Sequence, residues 1–296
     1  MSTISLTAPS YPNWLNRQEY PFKSNYFTLP VGRMHYVDQG EGEPVVMLHG
    51  NPGWSFEYRN VIKHVSFSMR CIVPDLIGFG LSDKPFNWSY LPEEHASNIE
   101  LFLDSLNLSK ITLVVNDWGG PIGLSYAIRY PQKIKKIILL NTWLWPVDQD
   151  PHFVRFSKMM GGEVGRFLIT HFNIFGKVVV RQAVGDKRKL TSEIHRHYYQ
   201  HLEKKSDRKG CTVFPKEIVG SSEWLKTLWA QREKINHIPT TIIWGMKDIA
   251  FRPTDLEQWI TSCPQAKVIR LNAVGHFPQE EAPEIIVQQI LSPFQS

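Results

Sequence analysis

The chain has 296 residues, of which 42% are hydrophobic and 21% charged, and its formal net charge is +5. That length accommodates one large domain carrying a lid or two small domains, and the composition is that of an ordinary soluble globular protein. Cys71, Cys211 and Cys263 are odd in number and widely spaced, with no C-x-x-C, which argues against a disulfide framework and against a zinc site.

No window approaches membrane-spanning length, and the opening M-S-T-I-S-L-T-A-P-S lacks a basic head followed by an apolar run. A cytoplasmic protein with no membrane association is therefore expected. The positive charge gathers between Lys177 and Lys209, around Lys187 to Lys189 and Lys204 to Lys209. No nucleic-acid-binding module accompanies it, so a solvated helix surface is expected there and no nucleic-acid partner.

Taken in order, Asn25 to Val31 and Arg33 to Asp38 alternate apolar and polar residues around Pro30 and Gly32, the pattern of an antiparallel hairpin. Pro44 to Leu48 is apolar throughout, as in a strand covered on both faces, and runs into His49-Gly50-Asn51-Pro52-Gly53. Cys71 to Asp75 reads as another strand. The glycines of the following L-I-G-F-G-L-S-D-K-P suit a tight loop, since the full dinucleotide fingerprint is absent.

Glu93 to Leu106 has helical spacing, and buried strands are expected at Ile111 to Asn116 and Ile134 to Leu140. Apolar strands alternating with helices predict an α/β fold built on a mostly parallel sheet between helical layers. From Trp143 to about Trp229 the texture is helical, as at Phe153 to Met160 and Ser192 to Leu202, without a convincing strand. Strand texture resumes at Thr240 to Trp244 and at Ala266 to Leu271, the latter ending in Asn272-Ala273-Val274-Gly275-His276. The predicted organisation is a discontinuous core domain, residues 1–142 and 233–296, interrupted by a helical cap, residues 143–232.

The segment Ile111 to Gly123, I-T-L-V-V-N-D-W-G-G-P-I-G, carries an apolar strand into an acidic residue and a glycine-rich turn. This is the layout of a nucleophile elbow, usually written G-x-S-x-G, with Asp117 at the reactive corner. Gly119, Gly120 and Gly123 give the backbone room to pass close to the strand. The turn leaves unpaired N–H groups at a helix N-terminus, where they can face an anion or a developing oxyanion. The same residues would also serve as an Asp N-cap on a buried helix. The elbow is preferred because two further motifs, H-G-N-P and V-G-H-F, fall after strands where an elbow needs them.

The order of parts resembles the α/β-hydrolase fold over nearly the whole chain: an H-G-N-P loop, the elbow, a helical insert, then G-M-K-D and V-G-H-F after the last two strands. With Asp at the elbow followed by Trp, and Asn in the H-G-N-P loop, it most resembles the haloalkane dehalogenases. In that family an aspartate displaces halide from an sp³ carbon and a histidine activates water to hydrolyse the alkyl ester. A carboxylate suits the displacement because, with a reference pKa of about 3.9, it is ionised at neutral pH without a base.

The resemblance implies that Asp117 is the nucleophile, His276 the base and Asp248 the acid that orients it. It also implies that the Trp118 indole and the Asn51 side-chain amide hold the halide, with the backbone N–H groups of the same two residues forming the oxyanion hole. Asn141 occupies the alternative acid position and cannot carry the charge. The pairing of Asp248 with Asn51 and Trp118 resembles the dehalogenase subfamily with an Asp-His-Asp triad and an Asn-Trp halide pair. The expected partners are a small halogenated hydrocarbon, water and the halide product, with the protein a monomer or homo-oligomer.

Other readings stay open. An epoxide hydrolase shares the Asp nucleophile and triad but needs acid donors, usually two cap tyrosines. Tyr198 and Tyr199 are adjacent and would diverge on a helix. A haloacetate dehalogenase would place arginine where Trp118 stands, and a catalytically silent binding protein on the same fold is the reading outside enzymes. No cofactor or metal is expected. His195, His197 and His201 include an i, i+4 pair, but H-E-x-x-H is absent and a solvated helix is the expectation. His49 is expected to fix its own loop through backbone hydrogen bonds.

Overall fold

The computed structural model describes residues 11–292. The opening ten residues, on which the expectation about a leader rests, lie outside the described part. Among the described residues eight strands form one sheet: β1 Asn25–Leu29, β2 Gly32–Gln39, β3 Pro44–Leu48, β4 Arg70–Pro74, β5 Ile111–Asn116, β6 Ile134–Leu140, β7 Thr240–Gly245 and β8 Lys267–Leu271. Their order is β1-β2-β4-β3-β5-β6-β7-β8. β2 runs antiparallel to both its neighbours, and every other pairing from β4 to β8 is parallel. The hairpin read around Gly32 is the β1–β2 pair, in register from Asn25 opposite Tyr36 to Leu29 opposite Gly32.

The helices are α1 Arg59–Val65, α2 Pro92–Ser105, α3 Gly119–Arg129, α4 Pro151–Gly161, α5 Glu163–Phe172, α6 Val180–Ala183, α7 Ser192–Gln200, α8 Lys209–Gly220, α9 Ser222–Ala230, α10 Pro253–Ser262, α11 Pro278–Glu281 and α12 Pro283–Leu291. Strands β3, β5 and β7 are buried at every residue because helices cover both faces, which is why they lack polar alternation. Val46, Leu48, Leu113 and Val115 pack with α2 and α3 on one face, whereas Val45, Met47 and Val114 pack with α1 and α12 on the other. Between β6 and β7 the elements are helical only. Among the described residues no helix is long and apolar enough to cross a membrane.

The histidine-bearing stretch on α7 differs from expectation. His195, His197 and His201 are all buried rather than solvated. The helix lies against the loop after β3, where His197 stacks on Phe56 with centroids 4.2 Å apart and His201 stacks on Trp54 at 5.8 Å. Each ring has a separate backbone partner: the Gly176 carbonyl for His195, the Asn16 N–H for His197 and the Gly80 N–H for His201. Elsewhere in the basic run, Lys187, Arg188 and Lys189 are exposed.

Candidate active site

The carboxyl ends of β3, β5, β6, β7 and β8 gather the catalytic segments at one edge of the sheet, the place where parallel α/β sheets bind ligands. At the end of β5 the chain turns sharply into α3, and Asp117 adopts φ 50°, in the left-handed region. The cost of that conformation is about 1–3 kcal/mol, and the surroundings offset it. The Asp117 N–H donates to the Asn141 carbonyl at 3.0 Å, and the Asp117 carbonyl accepts from Thr142 Oγ1 at 2.6 Å. Glycine is required after the corner and in the facing loop after β3. A Cβ on Gly119 would strike the Leu48 carbonyl, and one on Gly50 would strike the Asp117 carboxylate.

The two oxygens of Asp117 have different surroundings. Oδ1 accepts the Asn51 backbone N–H at 2.8 Å, and the Trp118 backbone N–H also acts to lower the pKa of the carboxylate. Oδ2 lies 3.6 Å from His276 Nε2, within charge attraction and beyond a hydrogen bond. On the far side of the ring, His276 Nδ1 donates to Asp248 Oδ2 at 2.9 Å. The ring is fixed by Phe251, stacked at 5.6 Å, and Phe277, edge-on at 4.7 Å.

Asp248 is clamped in turn. Its Oδ2 also accepts Asn141 Nδ2 at 2.8 Å, and its Oδ1 accepts the Ala250 N–H at 2.7 Å. Asn141 holds its own orientation by donating to the Gly245 carbonyl and accepting the Gly245 N–H. The residue at the alternative acid position is therefore a neighbour of the acid.

Burial lowers the His276 pKa, but the Asp248 charge and hydrogen bond, with the Asp117 charge, outweigh it and push it up to about 9. Burial raises the Asp117 pKa, opposed by His276 and by the two backbone N–H groups. The resting site is thus an Asp–His–Asp ion system. Loss of the charge on Asp117 removes one of the interactions that keep His276 protonated.

Asn51 and Trp118 line a cavity of about 230 Å³ with Asp117 and His276. The walls are largely apolar, with Phe153, Phe156, Met160, Phe175 and Val180 from the helical insert and Phe251 from the loop after β7. Trp118 is stacked on Phe214 at 5.3 Å and edge-on to Trp143 at 4.6 Å. Among the described residues, the Trp118 indole N–H and the Asn51 side-chain N–H have no protein acceptor, so both are available to a guest in the cavity. Neither Tyr198 nor Tyr199 lines it. The Tyr198 hydroxyl instead donates to Glu280 at 2.7 Å, which removes the donor pair that epoxide opening would need.

All five residues singled out in the sequence, Asn51, Asp117, Trp118, Asp248 and His276, converge here. His49 anchors the loop as expected: Nδ1 donates to the Gly50 carbonyl at 2.8 Å and Nε2 accepts the Leu76 N–H at 2.9 Å. Trp143 and Phe251 also line the cavity; the sequence does not single them out, although both follow strands at the ligand-binding edge. Nor does it mark Asn141 as the partner of Asp248.

Residues 43–283 match the family model for the alpha/beta hydrolase fold. The chain is 36% identical over 279 residues to haloalkane dehalogenase 2 of Mycobacterium tuberculosis, covering 94% of this chain and 96% of that protein. It is 35% identical over 280 residues to a cis-3-alkyl-4-alkyloxetan-2-one decarboxylase of Shewanella oneidensis, covering 91% and 87%. Among solved structures it is similar to haloalkane dehalogenase DbeA from Bradyrhizobium elkani, with a TM-score of 0.82, 25% identity and coverage of 91% and 96%. An α/β-hydrolase fold with an aspartate at its elbow, together with kinship over nearly the full length, shows that the chain belongs to the haloalkane dehalogenase family within the α/β-hydrolases.

Proposed function

We propose that this protein hydrolyses haloalkanes to an alcohol and halide through an alkyl ester on Asp117. The observation that carries the reading is the split environment of the Asp117 carboxylate, with Oδ1 on the Asn51 backbone N–H and Oδ2 toward His276, in a side chain that lines the cavity. Asp117 Oδ2 attacks the carbon bearing halogen. The carbon–halogen bond breaks with its electron pair, and the halide is received by the Trp118 indole and the Asn51 amide. Hydrogen bonds to a charged acceptor contribute about 1.5–3 kcal/mol each, so two donors are a sizeable part of the barrier reduction.

Esterification removes the Asp117 charge, which lowers the His276 pKa; the ring gives up its Nε2 proton to solvent and can then accept one from water. The hydroxide attacks the ester carbonyl carbon, and charge develops on Oδ1 against the Asn51 and Trp118 backbone N–H groups. Collapse releases the alcohol, which takes the proton from His276, and the proton left on the new Asp117 carboxyl group passes to His276, restoring the resting carboxylate and imidazolium. Asp248 stabilises the imidazolium and holds the tautomer. The relatives and the apolar cavity support terminally brominated or chlorinated alkanes as the substrate class.

The division into a core, residues 1–142 and 233–296, and a cap, residues 143–232, is part of the same reading. It is supported by the helical insert that supplies one wall of the cavity. A single turnover in ¹⁸O-water tests the mechanism. The label is expected in Asp117 and not in the first alcohol released, whereas labelled alcohol from the first turnover would mean direct attack by water.

A second reading rests on the decarboxylase relative, whose identity to this chain is nearly that of the dehalogenase. Asp117 Oδ2 would attack the oxetanone ring carbon bearing the ring oxygen, which leaves as a carboxylate. Loss of CO₂ then forms the alkene and expels Asp117, consuming no water. Incubation with 1-bromohexane and with a cis-dialkyl oxetanone separates the two: bromide with hexanol supports the first, and CO₂ with alkene supports the second.

A further inference from the structure

Behind the site lies a buried polar cluster with no direct part in either half-reaction. Glu57 comes after the H-G-N-P-G loop, and its side chain is enclosed beneath it. Gln279 Nε2 donates both to Glu57 Oε1 at 2.9 Å and to Asn116 Oδ1 at 3.0 Å. The Asn116 amide then donates to the carbonyls of Leu140, Asn141 and His276 at 3.1, 3.3 and 3.2 Å. Among the described residues, Glu57 Oε2 and Gln279 Oε1 are buried without a hydrogen-bond partner. Gly53 is part of the arrangement, because a Cβ there would collide with Glu57 Oε2.

Each member sits beside a catalytic residue in the chain. Glu57 shares a loop with Asn51, Asn116 immediately precedes Asp117, Asn141 touches Asp248, and Gln279 is three residues beyond His276. Three side chains thus tie together the segments that carry the halide donor, the nucleophile and the base, and reach the backbone of Asn141, whose own side chain holds the acid. We propose that Glu57, Gln279 and Asn116 form a positioning network for the hydrolytic half-reaction, in which Glu57 acts as an uncharged carboxylic acid holding the His276 loop against the elbow. The inference rests on Asp117 being the nucleophile and His276 the base.

The uncharged state has its cause in the surroundings. Among the described residues no cation contacts Glu57. Arg59, two residues on, forks onto Glu280 with Nη2 to Oε1 at 2.7 Å, and also reaches Glu19. The other groups acting on Glu57 are His276, Asp117 and Glu280. Burial holds its carboxyl well above the usual range against the opposing Gln279 hydrogen bond and His276 charge, and the two carboxylates reinforce it. An ionised Glu57 would further raise the pKa of His276 and hold it as a cation, which cannot accept the proton from water.

Two variants test the network by separating alkylation from ester hydrolysis in rapid-mixing experiments with 1-bromohexane. Gln279→Met keeps the volume and removes both donated bonds. It is expected to slow hydrolysis about 10- to 100-fold while alkylation changes little, so that alkylated protein accumulates. Equal slowing of both steps, or no change in either, would overturn the positioning role.

Glu57→Gln replaces one uncharged group by another, so the acid limb of the hydrolysis rate against pH should stay where it is in the wild type. A shift of that limb to lower pH would mean that Glu57 is charged, and would overturn the proposal. Should Gln279→Met fail to fold, the position of that limb decides alone. His276→Phe serves as the control. If it accumulates alkylated protein and Gln279→Met does not, the network is wrong and the mechanism stands; if neither does, the mechanism itself fails.

Discussion

Asp248→Asn changes one carboxylate oxygen to an N–H₂ group in a place where three donors already converge. Asp248 accepts hydrogen bonds from His276 Nδ1, Asn141 Nδ2 and the Ala250 N–H. An asparagine can keep the Ala250 bond with its carbonyl, but its amide nitrogen then faces two donors. Asn141 cannot turn to help, because its own amide is held at both ends by Gly245. His276 is forced to accept at Nδ1 and carry its proton on Nε2, the nitrogen that must take a proton from water.

The predicted loss in ester hydrolysis is roughly 10²–10⁴-fold, the usual contribution of a general base. The Asn141 N–H left without an acceptor costs a further 1–3 kcal/mol or so of stability. Stopped-flow halide release should keep its first-turnover burst while steady-state turnover falls. Since Asn141 Nδ2 lies 2.8 Å from the Asp248 carboxylate, adding Asn141→Glu should return part of the activity. Full steady-state activity in Asp248→Asn alone would refute the tautomer argument and the assignment of the acid.

Trp118→Phe keeps the ring against Phe214 but removes the N–H, so it should slow alkylation by about 10-fold or more and weaken bromide binding, the loss of one hydrogen bond to a charged group; an unchanged burst rate would count against it. For stability, the His276 pKa is raised by folding, so its contribution is complete below the unfolded value near 6.5 and disappears as pH rises through about 9. At about 1.36 kcal/mol per pH unit over that interval this is roughly 3 kcal/mol. Denaturant unfolding of the wild type between pH 6 and 10 should show that fall, and Asp248→Asn should flatten it; a wild-type curve with no loss across this window would contradict the ion system at the site.

Much of the site is legible in local chain requirements. An Asp in the left-handed region with two glycines close behind it leaves a trace in neighbouring residues, as do H-G-N-P and V-G-H-F at strand ends. The buried parallel strands are legible because both their faces are covered, which removes polar residues from the run. The parts that leave no such trace are long-range. Gln279 meets Glu57 across 222 positions and Asn116 across 163, so nothing adjacent to S-F-E-Y marks Glu57 as part of the site. The burial of the α7 histidines is hidden for the same reason, since it depends on Trp54 and Phe56 arriving from a distant part of the chain.

The central claim is that Asp117 forms an ester which His276 then hydrolyses, and His276→Phe tests it most directly. After mixing this variant with 1-bromohexane, mass spectrometry of the intact protein and of its peptides should find one hexyl group on Asp117, with one equivalent of bromide released and almost no hexanol. A variant that remains unmodified while still producing hexanol would contradict the account.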